Sequence, residues 1–301
     1  MTCRGLSLMS GGLDSQLAVK VLQRAGAEVE AVCFRSPFFS SAAAEKAAFA
    51  LGVPLRIVDF TDDIIALVMN SPHGFGGAMN PCIDCHATMI RRAGELMAEL
   101  GYDFVATGEV QGQRPMSQNR QALGVVERSS GLVGRLVRPM SAKLLEPTIP
   151  ETEGKLDRGQ LLDISGRSRD RQIALAAEFG IVDYPAPAGG CKLTEEAFGR
   201  KLSDLMKHEG LENRRLVGLL TVGRRFRLPD GSSVILGRDA GENDILRAEP
   251  GTVIEDPGVP GPTAYVPVVK SEADLAAARA IVRAWSRGGT GREPYLPCQI
   301  I

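Results

Sequence analysis

The sequence of 301 residues lacks a long hydrophobic run, a strong excess of charge of either sign and a leader-like N-terminus. No apolar stretch approaches the roughly 18 to 20 residues that a membrane-spanning helix needs. The residues from Ser10 to Asp14 interrupt the N-terminal apolar segment, so the pattern of a secretory signal is missing. A net charge of -1 gives no global case for nucleic-acid binding. We therefore expect a cytoplasmic protein that does not bind membranes.

What the chain contains is typical of a soluble globular protein, with 44% hydrophobic and 24% charged residues and enough length for two domains. Six cysteines in a cytoplasmic chain are expected to be reduced, so their clusters suggest metal or sulfur chemistry before disulfides. Arginine is concentrated in residues 158–171 and 199–227. These segments could meet a polyanion or could form solvated helix faces.

Hydrophobic patterning divides the chain into two parts. The first part alternates predicted strands with predicted helices: strands near 5–9, 28–34, 55–60 and 103–106, helices near 15–25, 41–51 and 88–100. This order predicts an α/β fold, a doubly wound parallel sheet whose ligands gather at the carboxyl ends of the strands. After a helix over 195–208, short strands flank the turn signal Pro229-Asp230-Gly231 and a last helix covers 272–285. We predict a first domain over 1–195 and a smaller α+β domain over 196–301.

The stretch SGGLDS lies where the first strand passes into the first helix. Gly11 and Gly12 allow backbone N–H groups to approach a ligand closely, Ser10 and Ser15 add hydroxyl donors, and the helix N-terminus favours negative charge. The chain lacks the GxxxxGK[ST] signature, which excludes the ordinary nucleotide-hydrolysing loop. The residues predict an anion-binding turn.

This turn resembles the SGGxDS motif of the pyrophosphate-loop ATPases, the adenine nucleotide alpha hydrolase superfamily. The resemblance implies that ATP is split between its α and β phosphates and that AMP is attached to a substrate oxygen. It implies that four residues hold pyrophosphate: Ser10, Gly11, Gly12 and Ser15. The resemblance also implies that Asp14 lies near the phosphates or their Mg²⁺. Cys33 and Phe34 are expected to contact adenine, because these folds receive adenine at the end of the second strand.

A second polar loop, TGEVQGQRPMSQ, begins at Thr107, at the same predicted edge of the sheet. It resembles the TGE-x-x-GQ-x-x-SQ segment of the tRNA 4-thiouridine synthetase family, and RLVRPMSAKLLEPT resembles the RPL-x-x-x-K segment that follows it there. The resemblance implies that Thr107, Gly108 and Gln113 contribute to the nucleotide site. It also implies that Arg138 and Lys143 are cations for ATP phosphates or an RNA backbone, with Lys143 in a catalytic role.

The cysteines form a pair and a distant single residue. NPCIDCHATM places Cys82 and Cys85 in a CxxC just before a predicted helix, and YPAPAGGCKLT isolates Cys191 behind two glycines. A CxxC is compatible with a redox pair, half of a zinc site or part of an iron–sulfur site. His86 could complete a Cys3His zinc site. Three thiolates also suit a [4Fe-4S] cluster whose fourth iron is open to an external sulfur.

Pyrophosphate-loop tRNA thiolases divide into enzymes that use a persulfide on catalytic cysteines and enzymes that use a three-cysteine cluster. The CxxC with one distant cysteine resembles the cluster type, which implies Cys82, Cys85 and Cys191 as metal ligands and catalytic residues. Within NPxxxC, Cys85 also aligns with the catalytic cysteine of tRNA 2-thiouridylases. A persulfide mechanism at Cys85 and Cys191 is therefore the alternative. We assign no role to Cys3 and Cys298.

In the second part, GRRFRLPDGSSVILGRDAGENDIL resembles the RNA-binding domain at the C-terminus of ribosome-quality-control tailing factors. There, a GRxFR…DG…(I/V)xxGR pattern precedes an asparagine. The resemblance implies phosphate contacts by four arginines: Arg224, Arg225, Arg227 and Arg238. It makes Asn243 a polar reader of RNA. Affinity that depends on such contacts falls steeply with salt.

Together, these resemblances imply an ATP-dependent, AMP-forming tRNA sulfurtransferase that adenylates a uracil carbonyl oxygen. The implied cofactors are ATP, Mg²⁺ and a [4Fe-4S] cluster, and the implied partners are tRNA and a sulfur donor of unknown identity. A homodimer is left open. The rival functions are ATP-dependent sulfuration or amidation of a small molecule and a non-catalytic RNA-binding quality-control factor.

Overall fold

The computed structural model describes residues 3–186 and 190–289 and the backbone of 299–300. It contains two compact units, Met1–Thr194 and Glu195–Ile301. The strands of the first unit are β1 (Cys3–Leu8), β2 (Ala27–Arg35), β3 (Leu55–Asp59), β4 (Phe104–Ala106) and β5 (Leu136–Val137). Its helices are α1 (Leu13–Arg24), α2 (Ala42–Leu51), α3 (Thr61–Met69), α4 (Cys82–Leu100), α5 (Arg120–Ser130), α6 (Ile149–Thr152) and α7 (Asp170–Glu178).

The first unit is built around one parallel sheet in the order β3-β2-β1-β4-β5. The chain moves outward from β1 to β3 and then returns to form β4 on the other side of β1. Because parallel crossovers are right-handed, this reversal distributes the helices over both faces of the sheet. The predicted doubly wound parallel sheet is confirmed. The carboxyl ends of β1 and β4 lie side by side, with Ser7 opposite Ala106, where this topology opens a ligand crevice.

The central strands are apolar along nearly their whole length because both faces of the sheet are covered. Leu6, Ala31 and Val105 are completely buried. Gly5 of β1 allows the Phe104 ring to pack beside it, since a Cβ at Gly5 would lie 2.2 Å from that ring. Burial of these side chains supplies most of the driving force for forming this layer.

Helix α4 begins earlier than the sequence pattern predicts. The pattern indicates a helix from residue 88, whereas the structure begins it at Cys82, with the Cys85 N–H donating to the Pro81 carbonyl at 2.8 Å. The acidic Asp84 in this first turn favours the helix N-terminus electrostatically. The CxxC therefore lies within the helix and not before it.

The second unit pairs an antiparallel sheet with helices. Its strands are β6 (Arg224–Arg227), β7 (Ser233–Leu236), β8 (Thr252–Ile254), β9 (Ala264–Val266) and β10 (Gln299–Ile300), in the order β10-β6-β7-β9-β8. Its helices are α8 (Glu196–His208), α9 (Arg214–Gly218), α10 (Ala240–Arg247) and α11 (Glu272–Trp285). The predicted hairpin joins β6 and β7, with Gly231 at φ +97°. Phe226, Val234 and Ile281 lie in its core. None of the helices within the described residues is both long and apolar enough to cross a membrane.

Candidate nucleotide and thiol site

The SGGLDS turn leads directly from β1 into α1. The Gly12 N–H donates to the Ser10 Oγ at 3.3 Å, and the Ser15 Oγ donates to the Gly12 carbonyl at 2.8 Å. Gly11 has φ +80°, and a Cβ there would lie 2.3 Å from the Ala43 carbonyl carbon at the start of α2. Gly12 caps α1 without a side-chain hydrogen bond, so no cap side chain covers the first N–H groups of this helix. The arrangement is suited to an anion.

Asp14 joins this turn to the loop after β4. Its Oδ2 accepts a hydrogen bond from the Gln113 Nε2 at 2.8 Å, while its Oδ1 is buried without a hydrogen-bond partner among the described residues. The Gln113 Oε1 accepts in turn from the Gln172 Nε2 at 3.3 Å. Gly108 packs so closely on the turn that a Cβ would lie 2.7 Å from the Asp14 carbonyl group. The structure thus brings Asp14, Gly108 and Gln113 together from two separate motifs.

A buried network lies beneath this loop and is centred on Glu109. The carboxylate accepts from the Thr107 Oγ1 at 3.1 Å and the Arg138 Nε at 2.9 Å, and it lies 3.1 Å from the His86 Nδ1. Burial alone would raise the pKa of Glu109, but the Arg138 charge and the hydrogen bonds from His86 and Arg138 outweigh it and lower the pKa to about 2. Glu109 is therefore a carboxylate at neutral pH.

The sequence resemblance implied that Arg138 is a cation for phosphate, but the structure buries its side chain. Its side chain is 2% exposed, and besides Glu109 it binds the Glu127 carboxylate at 3.0 Å and the Leu123 carbonyl at 3.0 Å. A buried charge is retained in a protein when it is paired in this way. Lys143 differs, since it is exposed and its Nζ donates to the Gly159 carbonyl at 2.8 Å. Its catalytic role stays a prediction.

Cys33 and Phe34 lie near the end of β2, and both side chains are buried. Burial raises the pKa of the Cys33 thiol to about 11, and the Phe34 ring packs edge-on against Phe60 with a centroid distance of 5.4 Å. These side chains belong to the core. The predicted adenine contact at this position would have to use the backbone.

The paired thiols lie in the first turn of α4. The Asn80 Nδ2 donates to the Cys82 Sγ at 3.0 Å. Burial raises the pKa of the Cys85 thiol, and the nearby Cys191, Cys82 and Asp84 raise it further. Cys191, although distant in the sequence, therefore contributes to the electrostatic environment of Cys85.

The Cys191 segment is attached to the carboxyl edge of the sheet on both sides. Upstream, the Gln16 Nε2 donates to the Gly11 carbonyl at 2.9 Å and to the Asp183 carbonyl at 3.0 Å. Downstream, the Lys192 N–H donates to the Phe38 carbonyl at 2.9 Å. These contacts attach the two ends of the segment to α1 beside the SGGLDS turn and to the chain after β2. Gly189, one of the two glycines preceding the cysteine, lies outside the described residues.

The metal predictions are not confirmed by the described residues. Over residues 3–186 and 190–289, no group of three or more His, Cys, Asp or Glu side chains is arranged as a metal site. The side chain of His86, the fourth ligand of the zinc alternative, is paired with Glu109. The five cysteines within the described residues form no disulfide. Cys298 lies outside the described residues.

Sequence patterns missed several residues that organise this site. Asp84, between the two cysteines, accepts hydrogen bonds from the Ser71 hydroxyl and the His73 N–H, at 2.5 and 2.9 Å. Glu109, Gln16 and Gln172 are also buried. The signal for Glu109 was its place inside the TGE motif. For the two glutamines, no local pattern distinguishes them from surface amides.

In the second unit, the arginines predicted to bind RNA phosphates are engaged within the protein. Arg225 is 1% exposed, and Arg227 is 7% exposed and bound by the Asp204 and Glu209 carboxylates. Arg238 forms an ion pair with Glu242.

Two further RNA-contact predictions in this unit also meet internal contacts. The Arg224 guanidinium lies 4.4 Å from the centre of the Trp285 ring. Asn243 is not a reader of RNA through its carbonyl group, because its Oδ1 accepts from the Thr263 N–H at 3.0 Å. The predicted phosphate contacts of Arg225 and Arg227 are wrong, because both side chains are buried: Arg227 pairs with Asp204 and Glu209, and Arg225 donates to the Leu216 carbonyl.

The first unit is an α/β fold in which the SGGLDS turn after β1 packs against the loop after β4, with the CxxC in the first turn of α4. The family described as thiamine biosynthesis protein (ThiI) matches residues 1–142. This match includes the SGGLDS turn (residues 10–15), named the phosphate turn below for its proposed role, together with the CxxC and the loop after β4.

The curated relatives of this chain include proteins that are named as tRNA-thiolating enzymes. The chain is 33% identical over 126 residues to the tRNA-specific 2-thiouridylase MnmA of Cutibacterium acnes, covering 34% of this chain and 33% of the relative. It is 31% identical over 177 residues to the "Probable tRNA sulfurtransferase" of Caldanaerobacter subterraneus subsp. tengcongensis, covering 56% and 41%. The chain thus spans a third to about two fifths of the length of these relatives.

Among solved structures, a 4-thiouridine synthetase in complex with RNA and ATP aligns over 72% of this chain and 52% of its own, with 23% identity and a TM-score of 0.42. A predicted subunit of a tRNA methyltransferase from Methanocaldococcus jannaschii aligns over 58% of this chain and 76% of its own, with 18% identity and a TM-score of 0.39.

Proposed function

We propose that this chain is an ATP-dependent tRNA uridine thiolase, which activates a uracil carbonyl oxygen with AMP and replaces that oxygen with sulfur. The observation that carries the proposal is the packing of the SGGLDS turn against the TGE loop, through the Gln113 hydrogen bond to Asp14 and the close approach of Gly108, in the unit that also contains the CxxC. The ThiI family match and the tRNA thiolation enzymes among the relatives support the same substrate class.

The proposed chemistry has two steps. The uracil oxygen attacks the α-phosphorus of ATP, and pyrophosphate leaves with the broken P–O bond electrons. The N–H groups of the SGGLDS turn stabilise the charge that develops on pyrophosphate. Sulfur at the oxidation level of sulfide then adds to the activated carbon, AMP leaves with the oxygen, and loss of the proton from sulfur gives the thiocarbonyl.

The residues of the turn also fit a magnesium ion. The Asp14 Oδ1 is a buried oxygen without a hydrogen-bond partner among the described residues, and Mg²⁺ prefers carboxylate oxygens together with substrate phosphates. Asp14 would hold the ion, with Gln113 fixing the other carboxylate oxygen. The ion would supply charge stabilisation for the departing pyrophosphate.

The three thiols have the right donor chemistry for a [4Fe-4S] cluster, although the described residues do not hold them in a metal-binding arrangement. Cys82, Cys85 and Cys191 would hold three irons, and the cluster would supply an open position for an external sulfur. Burial disfavours an isolated thiolate at Cys85, whereas metal coordination stabilises the thiolate form. The Asn80 amide already donates to the Cys82 sulfur, as such a ligand requires.

The persulfide alternative uses two of the same cysteines, Cys85 and Cys191. A Cys85 persulfide would donate its outer sulfur, and the Cys191 thiol would release the product by forming a disulfide, which an external dithiol must then reduce. Anaerobically prepared protein separates the two chemistries. The cluster predicts about four irons and four acid-labile sulfides per chain, and stoichiometric zinc without iron would overturn it.

Recognition of tRNA by the second unit is part of the proposal, although the buried arginines do not contribute. Arg200 and Lys207 are exposed and lie seven positions apart on α8, which places them on one helix face. They can contact successive phosphates.

The function is tested by incubating the full chain with ATP, Mg²⁺, sulfide and unmodified tRNA. We expect AMP, pyrophosphate and a thiolated nucleoside in equal amounts, measured by chromatography and mass spectrometry. Cys85→Ser should abolish the thiolated nucleoside, whereas Cys3→Ala, at a buried cysteine of β1, should retain it. Formation of ADP, or consumption of ATP that does not respond to tRNA, would count against a tRNA thiolase.

A further inference from the structure

Residues 70–81 form the loop that connects α3 with α4. The first part of this loop is fixed to α4, the thiol helix, which carries Cys82 and Cys85. Asp84, which is 5% exposed and lies between the two cysteines, accepts from the Ser71 hydroxyl at 2.5 Å and the His73 N–H at 2.9 Å. The His73 Nδ1 also lies 2.6 Å from the Asp84 Oδ1. These contacts hold the first residues of the loop beside the CxxC.

Asn80 fixes the other end of the loop to the same place. Its backbone carbonyl accepts from the Gly76 N–H at 2.9 Å, and its Oδ1 accepts from the Ala78 N–H at 3.1 Å. Its Nδ2 donates to the Cys82 sulfur at 3.0 Å. A side chain at Gly76 would collide with the Asn80 amide, since a Cβ there would lie 2.3 Å from the Asn80 Nδ2. The loop therefore has a defined position relative to the thiols.

Phe75 lies between these two attachments and is 47% exposed. Half of the phenylalanines of this unit, including Phe38, Phe60 and Phe104, are buried. Gly74 and Gly76 on either side of Phe75 contribute no side chain that could cover its ring. A loop that is held this firmly, yet leaves an aromatic ring accessible beside the CxxC, is suited to a flat apolar ligand.

We propose that Phe75 is the stacking platform for the RNA base that is presented to Cys82 and Cys85. The proposal rests on the proposed function and names the contact that positions its substrate. Enzymes that act on a base bring it out of its stack, and unstacked RNA bases bind on aromatic rings. Because the loop is attached to Asp84 and to the Cys82 sulfur, a base stacked on Phe75 would lie close to the thiol helix.

A substitution series tests whether the ring acts through stacking. Loss of one base–aromatic stack corresponds to a loss of binding of about 5- to 150-fold, so Phe75→Ala should raise KM for tRNA by that factor and leave KM for ATP unchanged. Phe75→Tyr should remain near wild type. Phe75→Leu should resemble Phe75→Ala, since leucine keeps apolar volume but has no ring. Wild-type behaviour of Phe75→Leu would overturn stacking and indicate an apolar contact with a protein partner.

Phe49 supplies the matched control. It is 91% exposed and lies in the last turn of α2. The phosphate turn contacts the opposite end of this helix, at Ala43. Phe49→Ala removes a ring that is even more exposed and should leave KM for tRNA unchanged. An equal increase in KM for both variants would contradict a specific role for Phe75.

Fluorescence tests the platform independently of catalysis. Trp285 is the single tryptophan, so the double variant Phe75→Trp, Trp285→Phe carries its only indole at the proposed platform. Oligouridylate should quench its emission, whereas an abasic oligoribonucleotide of equal length and charge should not. Equal quenching by both, or quenching by neither, would overturn the proposal. Failure of thiolation with intact base-dependent quenching would instead remove the proposed function and leave the platform.

Discussion

The Nδ1 atom of His86 lies 3.1 Å from the Oε1 atom of Glu109. This contact connects the first turn of α4, which carries the paired thiols, with the loop after β4, which packs on the phosphate turn. Glu109 also binds Thr107 and Arg138. Two motifs that are separate in the chain therefore share one buried polar network.

The network should contribute strongly to stability. Glu109→Gln removes the charge that compensates the buried Arg138 guanidinium, and loss of one partner from such a pair costs about 3 kcal/mol or more. The free energy of unfolding from urea titrations measures this loss. Glu95→Gln is the control, because Glu95 forms an exposed ion pair with Arg91 worth less than about 1 kcal/mol. Equal losses in both variants would contradict the structural role of Glu109.

Glu109 also predicts a pH dependence of stability. Its pKa in the folded protein is lowered to about 2 from an ordinary value of 4.5. The carboxylate therefore contributes its full stabilisation above about pH 4.5, and this contribution is lost as the pH falls toward 2. Urea midpoints measured down to about pH 3 should decrease less steeply in Glu109→Gln than in the wild type. Parallel curves for the two proteins would show that Glu109 does not titrate in this window.

Gly11 should be essential for the phosphate turn. Gly11→Ala meets both a φ of +80° and a contact of 2.3 Å with the Ala43 backbone, so we expect loss of ATP binding and reduced stability. Gly101→Ala separates the two effects, because Gly101 has φ +67° but no atom within 4 Å of its Cβ position. It should cost about 1–2 kcal/mol and leave ATP binding intact. Calorimetric titration with ATP measures the difference, and normal ATP binding by Gly11→Ala would count against the turn as the nucleotide site.

The second unit should separate structural arginines from those that bind RNA. Arg227→Met should destabilise this unit by about 3 kcal/mol or more, because it leaves the Asp204 and Glu209 carboxylates without their partner.

The double variant Arg200→Ala, Lys207→Ala should keep wild-type stability and weaken the salt dependence of tRNA binding. The slope of log Kd against log salt concentration should decrease by about 1.4 to 1.8. An unchanged slope would exclude this helix face as an RNA contact.

The fold was predictable because its signals are local. The apolar strand before SGGLDS and the stop of α2 at Gly52, with φ +66°, follow from residues adjacent in the sequence. The start of α4 was not predictable, because Asp84 engages Ser71 and His73 and so stabilises the first turn through contacts outside the helix.

The chemical state of individual side chains was the harder part of the prediction. Arg138 and Arg227 look like surface cations in the sequence, and only the tertiary structure brings carboxylates such as Glu109 to them. The attachment of the Cys191 segment to Gln16 and Phe38 is equally a property of the fold, since no local pattern relates these residues.

Disulfide trapping tests most directly whether the thiols of the two distant segments meet. Native protein is treated with a mild oxidant, the remaining thiols are alkylated, and the peptides are mapped without reduction. We predict a linked peptide that joins Cys191 to Cys85 or Cys82, absent from Cys191→Ser, with Cys3 and Cys33 unlinked because they are buried. Complete alkylation of Cys191 together with a link only between Cys82 and Cys85 would contradict a shared sulfur-transfer site.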